Sequence, residues 1–240
     1  MIRTLAAARF ALVLLCAAPM PALADVTARY ALGGGKEVLL VEIDDGGNAR
    51  IGIDKGFGLI RRDGVDYLVI DMKGDQLVTR LDDAIKVLKT QIATKSVVDD
   101  GTGPLFVLGG GPETQVSGFA ATSWTLGPKE AGGKTLQIAI SDDPELAPVG
   151  AMLRRLADSA LSVFEGSVIP ASSQFGPRVR ELLAKGTPVQ IAPLMELESV
   201  DHKEIDSHRF DLPGPVVSAE MLAQAIPSHA EPAGPLKPLP

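Results

Sequence analysis

The sequence predicts an α+β protein in which an antiparallel sheet lies under two or three helices. Three observations lead there. From Lys36 to Met72 the chain reads as four short apolar runs, KEVLLVEI, NARIGID, FGLIRR and VDYLVIDM, separated by turns of two to four residues rich in Gly and Asp. Such turns leave no room for a crossover helix, so consecutive strands run antiparallel as a meander. Further along, apolar residues recur at helical spacing around Leu81 and again around Val149. Finally, some strands of the meander are apolar on both faces and need cover on two sides.

The first residues read as an address. Arg3 and Arg9 form a basic head, Phe10 to Ala18 an apolar run, and Ala22-Leu23-Ala24 before Asp25 a small-x-small cleavage pattern. This predicts a signal peptide over 1–24, cleaved after Ala24, and a periplasmic product. The apolar run falls short of the roughly 20 residues a membrane span needs, and no later stretch reaches that length, so no transmembrane segment is expected. Cys16 is the only cysteine, and the large Leu15 before it speaks against lipid attachment. An exported chain without Cys16 has no disulfide to use and depends on its core. Beyond residue 24 there are 21 basic and 30 acidic residues, a net charge of −9, which repels phosphate backbones and excludes nucleic acid as an expected partner.

In chain order, residues 25–32 form a first strand ending at Gly33-Gly34-Gly35. In the next strand Leu39, Val41 and Ile43 share one face, with Val38 and Leu40 on the other. Ala49, Ile51 and Ile53 alternate with polar or small neighbours. Val65, Tyr67 and Val69 lie opposite Leu68 and Ile70. Leu81, Ile85, Leu88 and Ile92 make one stripe on a helix from about Arg80 to Ala93. A glycine-rich connection over 96–112 carries the apolar island PLFVL, which must tuck under the fold or become a strand. Strands follow over 114–126 and 135–141. Asp142-Asp143-Pro144-Glu145 starts a helix that runs to Phe164, and a shorter helix spans 177–185 before Gly186. Residues 188–200 and 208–212 give the last strands. This makes 25–213 one β-rich domain and 214–240 a Pro-rich, mobile tail in which only 221–226 looks helical.

The candidate sites are few. Gly127 to Thr135 approaches a phosphate loop, but Pro128 replaces the first glycine of the pattern and a strand follows instead of a helix. His202, His208 and His229 lack metal-ligand spacing, and Asp142, Asp143 and Glu145 serve a helix start better than an acid–base pair. No serine elbow or thiol is available. The expectation is therefore no catalytic residue, no metal, no cofactor and no enzyme. Phe57, Leu59, Tyr67, Val69 and Trp124 are the candidates to line a ligand cavity between sheet and helices, although a filled core is the plainer reading of such residues on strands.

The layout also carries a resemblance. The meander, the covering helix, Val116-Ser117-Gly118-Phe119 through Thr122 to Trp124, and the ending Gly186-Thr187-Pro188-Val189, Ser199-Val200 and Phe210-Asp211-Leu212-Pro213 resemble a bacterial secreted family of unknown function. That family is similar in organisation to periplasmic carriers of outer-membrane lipoproteins. The resemblance implies a curved, half-open barrel with helices on its concave side, and a non-catalytic protein holding a lipid or acyl chain there, or meeting an envelope protein. No carrier residue transfers position by position. The alternative is a structural or protein-interaction module whose core is full.

Overall fold

The computed structural model describes residues 25–53, 57–72, 75–93, 104–130, 133–164 and 170–225. The expected signal peptide and His229 lie outside the described residues. The meander runs through β1 (Val26–Leu32), β2 (Glu37–Ile43), β3 (Ala49–Ile53), β4 (Phe57–Arg62), β5 (Val65–Met72) and β6 (Asp75–Arg80) into α1 (Leu81–Ala93). Then come β7 (Phe106–Val116), β8 (Phe119–Pro128), β9 (Leu136–Ser141), α2 (Ala147–Phe164) and α3 (Pro170–Leu183). The chain closes with β10 (Thr187–Ala192), β11 (Met195–Asp201), β12 (Val216–Val217) and α4 (Ala219–Ala225). The twelve strands form one open sheet in the order β12-β6-β5-β4-β3-β2-β1-β11-β10-β9-β8-β7. Every neighbouring pair is antiparallel except β12 with β6, which makes the sheet mixed.

Register separates the two faces. Ala28, Val41, Ile51, Leu59 and Leu68 are successive cross-strand partners and share one face. The helices lie on it: α2 packs Val149, Met152 and Leu153 into the main core with Tyr30, Ile51 and Val189. Ala84 and Val87 of α1 meet Leu68 and Leu222 of α4. The α1 stripe is therefore turned slightly from the expected one, with Ala84 and Val87 buried and Ile85 and Leu88 half-buried, because α2 and α4 flank the helix. The opposite face of β4 to β6 carries Ile60, Val69 and Val78, covered by Leu212. The two-sided cover that β5 demanded is thus supplied by helices on one side and by chain beyond β11 on the other.

Several elements differ from expectation. The strand read over 114–126 is a hairpin: Ser117 and Gly118 both have positive φ, 50° and 90°, the geometry of a two-residue turn that matches strand twist. The apolar island over 104–108 leads into β7. The helix read from Pro177 begins at Pro170, and Pro177 lies inside it. Packing offsets the lost backbone bond, because Phe175 meets Phe106 edge-on at 5.3 Å and Leu182 joins the β7–β9 cluster. Residues 208–212 are not a strand but include a 3₁₀ turn, Ser207–Phe210. Val216–Val217 and α4, expected in a mobile tail, pair with β6 and pack beside α1.

One close approach fixes α2 to the sheet. A Cβ on Gly150 would stand 2.2 Å from Thr187 Oγ1 and 3.1 Å from its Cβ. That hydroxyl cannot swing away, since it donates to Leu146 O at 2.9 Å in a buried position. Gly150→Ala is therefore expected to destabilise the protein by about 1–3 kcal/mol, the usual cost of overpacking. Urea unfolding followed by circular dichroism checks it, with an unchanged midpoint showing that helix and strand can part without loss.

Candidate functional site

The structure divides the five candidate cavity residues instead of gathering them. Leu59 is 0 % exposed and belongs to the main core. Tyr67 and Val69 face the other way, beside Ile60, Val78 and Leu212. Trp124 lies far along the sheet, in the β7–β9 cluster, with Lys185 Nζ 4.6 Å from its ring centre. Phe57 opens β4 by its backbone. Side chains fill the layer between sheet and α2: Tyr30, Ile51, Leu146, Val149, Val189 and Leu197 are each at most 1 % exposed. Tyr30 donates its hydroxyl to Pro188 O at 3.1 Å, and burial pushes that hydroxyl well above the usual tyrosine range.

A polar cleft of about 200 Å³ opens on the opposite face of β3 to β6. Its floor is Gly52 and Gly58, cross-strand partners in β3 and β4. Arg50, Ile60, Val69 and Gln76 stand around them, and the segment from His208 to Pro213 passes alongside as a strap. The strap has a built-in start: the Asp206 carboxylate accepts from His208 N at 2.9 Å and caps the 3₁₀ turn. Phe210 then turns inward to 2 % exposure. Arg209 donates through Nε (3.0 Å) and Nη2 (2.8 Å) to both oxygens of Glu42, whose side chain is 8 % exposed. This bidentate pair raises the Arg209 guanidinium above its ordinary value, chiefly through the Glu42 hydrogen bond. Asp211 ties the strap to β4, accepting from Arg62 Nη1 at 2.6 Å and lying 2.8 Å from His208 Nδ1.

The charges around this cleft are largely spoken for, with one exception. Glu42 is held by Arg209, and Asp211 by Arg62 and His208. Among the described residues, no acceptor or carboxylate pairs with Arg50. Its Nε lies 3.9 Å from where a Cβ on Gly52 would stand, so the side chain runs across the floor. By contrast, in a larger surface cleft of about 430 Å³ between α1 and α2, Arg155 pairs with Asp66, Asp158 pairs with Arg180, and Arg154 donates to Leu183 O. A third, of about 350 Å³, is lined by Glu196 and Glu198, which accept from Gln190 and Arg29.

The other sequence candidates have structural partners. Asp143 accepts from Glu145 N at 2.9 Å and caps the turn before α2, while Glu145 meets His202 Nε2 at 2.7 Å. Gly127 and Pro128 end β8, and a strand follows. Among the described residues no three His, Cys, Asp or Glu side chains converge to hold a metal ion, and no helix is long and apolar enough to cross a membrane. Sequence reasoning missed Arg50, Glu42 and Arg209. The available signal was a pair of glycines, Gly52 and Gly58, inside strands where neither turn nor bulge calls for them. Comparison with protein-family models, curated proteins and solved structures finds no match.

Two outcomes follow from the strap's attachments. Arg209→Ala leaves the Glu42 carboxylate without its partner in a mostly buried place and should cost about 1–3 kcal/mol, whereas the double variant with Glu42→Leu should recover part of the loss. Urea unfolding of the four proteins in a double-mutant cycle measures this, and a zero coupling energy removes the pair from the account. The Asp211 hydrogen bond, then the charges of Asp206 and Asp211, raise His208, against the opposing Arg62. The His208 hydrogen bond, with Arg62, lowers Asp211. A raised histidine contributes fully below its unfolded value of about 6.5 and loses that contribution as pH rises through its folded value. A lowered aspartate contributes above about 3.9 and loses it as pH falls through its folded value. Strap amides should thus exchange hydrogen most slowly, relative to intrinsic rates, in mildly acidic solution, and His208→Asn should erase the weakening above neutrality.

Proposed function

We propose that this is a non-catalytic protein of the bacterial cell envelope, exported to the periplasm, that works by binding at its surface while its core stays filled. The observation that carries the reading is the seating of α2 on the sheet. Gly150 meets Thr187 without space between them, and the residues on both sides of the seam are almost fully buried. The larger described clefts lie on the surface.

The curved, half-open barrel implied by the lipoprotein-carrier resemblance is supported by one contact. The Ser117 hydroxyl, at the tip of the β7–β8 hairpin, donates to Leu197 O of β11, although β9 and β10 stand between β8 and β11 in the sheet. Such a contact requires the sheet to roll toward its helical side. In a carrier of that shape the concavity would receive an acyl chain. Here α2 takes the same place, and lifting it would expose Val149, Met152 and Leu153, each contributing about 1.5–3 kcal/mol through burial. An acyl ligand would have to displace and replace that whole apolar face.

Titration with a fluorescent fatty acid, together with native mass spectrometry of gently purified protein, separates the two possibilities. The filled core predicts no saturable uptake and an apo mass, with envelope partners recovered by crosslinking in the periplasm. Saturable uptake accompanied by faster hydrogen exchange along α2 would overturn it in favour of lipid holding.

A further inference from the structure

Glycine inside a strand weakens it, because glycine loses more conformational freedom on folding and offers no side chain to pack. Gly52 and Gly58 are direct cross-strand partners, and neither has a left-handed φ, so backbone geometry does not call for either. A Cβ on Gly58 would make ordinary contacts, 3.5 Å from Ile51 O and 3.8 Å from Val69 Cβ. A Cβ on Gly52 would meet only Arg50 Nε, at 3.9 Å, among the described residues. The strap therefore passes the cleft without taking the space above the pair. The result is a floor with no side chain of its own, crossed at one end by the Arg50 guanidinium, which has no ion-pair partner among the described residues, with Ile60 and Val69 as apolar walls and Pro213 on the strap side.

We propose that this juxtaposition of Arg50 with the Gly52–Gly58 floor, beside the strap, is a binding site for a small monocarboxylate with a flat apolar body, such as an aromatic acid. The guanidinium takes the carboxylate in a charge-assisted hydrogen bond. The planar body lies on the glycine pair, where any side chain would exclude it. A carboxylate lies in the plane of an aromatic ring and meets the guanidinium edge-on, whereas a tetrahedral phosphate leaves that plane, so a monocarboxylate suits the flat floor better. The volume of about 200 Å³ matches a single ring with its acid group better than an acyl chain. The proposal rests on the reading that the protein binds at its surface. The two can fail separately, since fatty-acid uptake reports on the core and the experiment below on the cleft.

The test is a titration of ¹⁵N-labelled protein with benzoate, phenyl phosphate and benzamide, followed by amide shifts. Benzoate is expected to move the Gly52, Gly58 and Gln76 amides saturably, phenyl phosphate to do so more weakly, and benzamide to leave them in place. Arg50→Gln should weaken benzoate about 10-fold, the worth of one charge-assisted hydrogen bond. Gly52→Val should abolish the shifts while leaving the melting temperature unchanged or higher, since valine suits a strand and the one atom near its Cβ, Arg50 Nε at 3.9 Å, belongs to a flexible side chain that can move aside. The proposal is overturned if benzoate gives no saturable shift at these amides, if benzamide matches it, if phenyl phosphate binds more tightly, or if Arg50→Gln binds as well as the parent. A lowered melting temperature in Gly52→Val would mark the glycine as structural and count against the floor.

Discussion

The constraint on which the rest depends is that the middle of the sheet is apolar on both faces. Leu59 and Leu68 point to one side, Ile60 and Val69 to the other, all at most 9 % exposed. A meander with one wet face could stand with helices on a single side, but these strands cannot. Cover on the first side comes from α1, α2 and α4. Cover on the second comes from the chain beyond β11, which is why the segment after Phe210 continues into β12 and α4 instead of leaving the fold. The strap, and the cleft beside it, exist because β4 to β6 need that second layer.

An open sheet of twelve strands also has two edges to manage. At one, β12 is only two residues long and offers little for another strand to pair with. At the other, β7 is 11 residues long, yet its register breaks between Gly110 and Glu113, where Pro112 interrupts the ladder. Arg178 of α3 donates from Nε to Phe106 O near its start. Bulge, proline and a side chain from the covering helix are all devices that blunt an edge. The glycines of β7 serve its pairing with β8, since a Cβ on Gly110 would press on the Trp124 ring at 3.4 Å. Trp124 thus packs across the strand pair.

Much of this was legible because period-2 alternation and short turns are local signals. The meander, the faces of β2, β3 and β5, and the covering role of α1 are readable from residues 36–93 alone. What escaped depends on distant partners. The Ser117-Gly118 turn lies within a run that otherwise reads as continuous strand, and only its positive φ values separate the two halves. Pro177 looks like a helix start until Phe175 is placed against Phe106. β6 has only Leu77 and Val78 as a signal, and gains its place from pairing with β5 on one side and β12 on the other. The candidate site was the least legible: Arg50 and Glu42 read as ordinary solvent-facing charges of two strands, and nothing local says that Arg209, 167 residues beyond Glu42, will reach back to it.

The strap's grip can be ordered by magnitude. Burying Phe210 is worth about 1.5–3 kcal/mol, and Leu212 adds apolar contact with Ile60, Val69 and Val78. The Arg209–Glu42 pair adds a charge-assisted, bidentate contact on a carboxylate that is itself mostly buried. The Arg62–Asp211–His208 chain is exposed, and pairs of that kind contribute little and are screened by salt. The apolar anchors therefore decide whether the strap stays on the sheet, and the titrating pair adds only a small increment to its hold. His208 itself lines the cleft, so its change of charge alters the electrostatics there while the apolar anchors keep the strap in place.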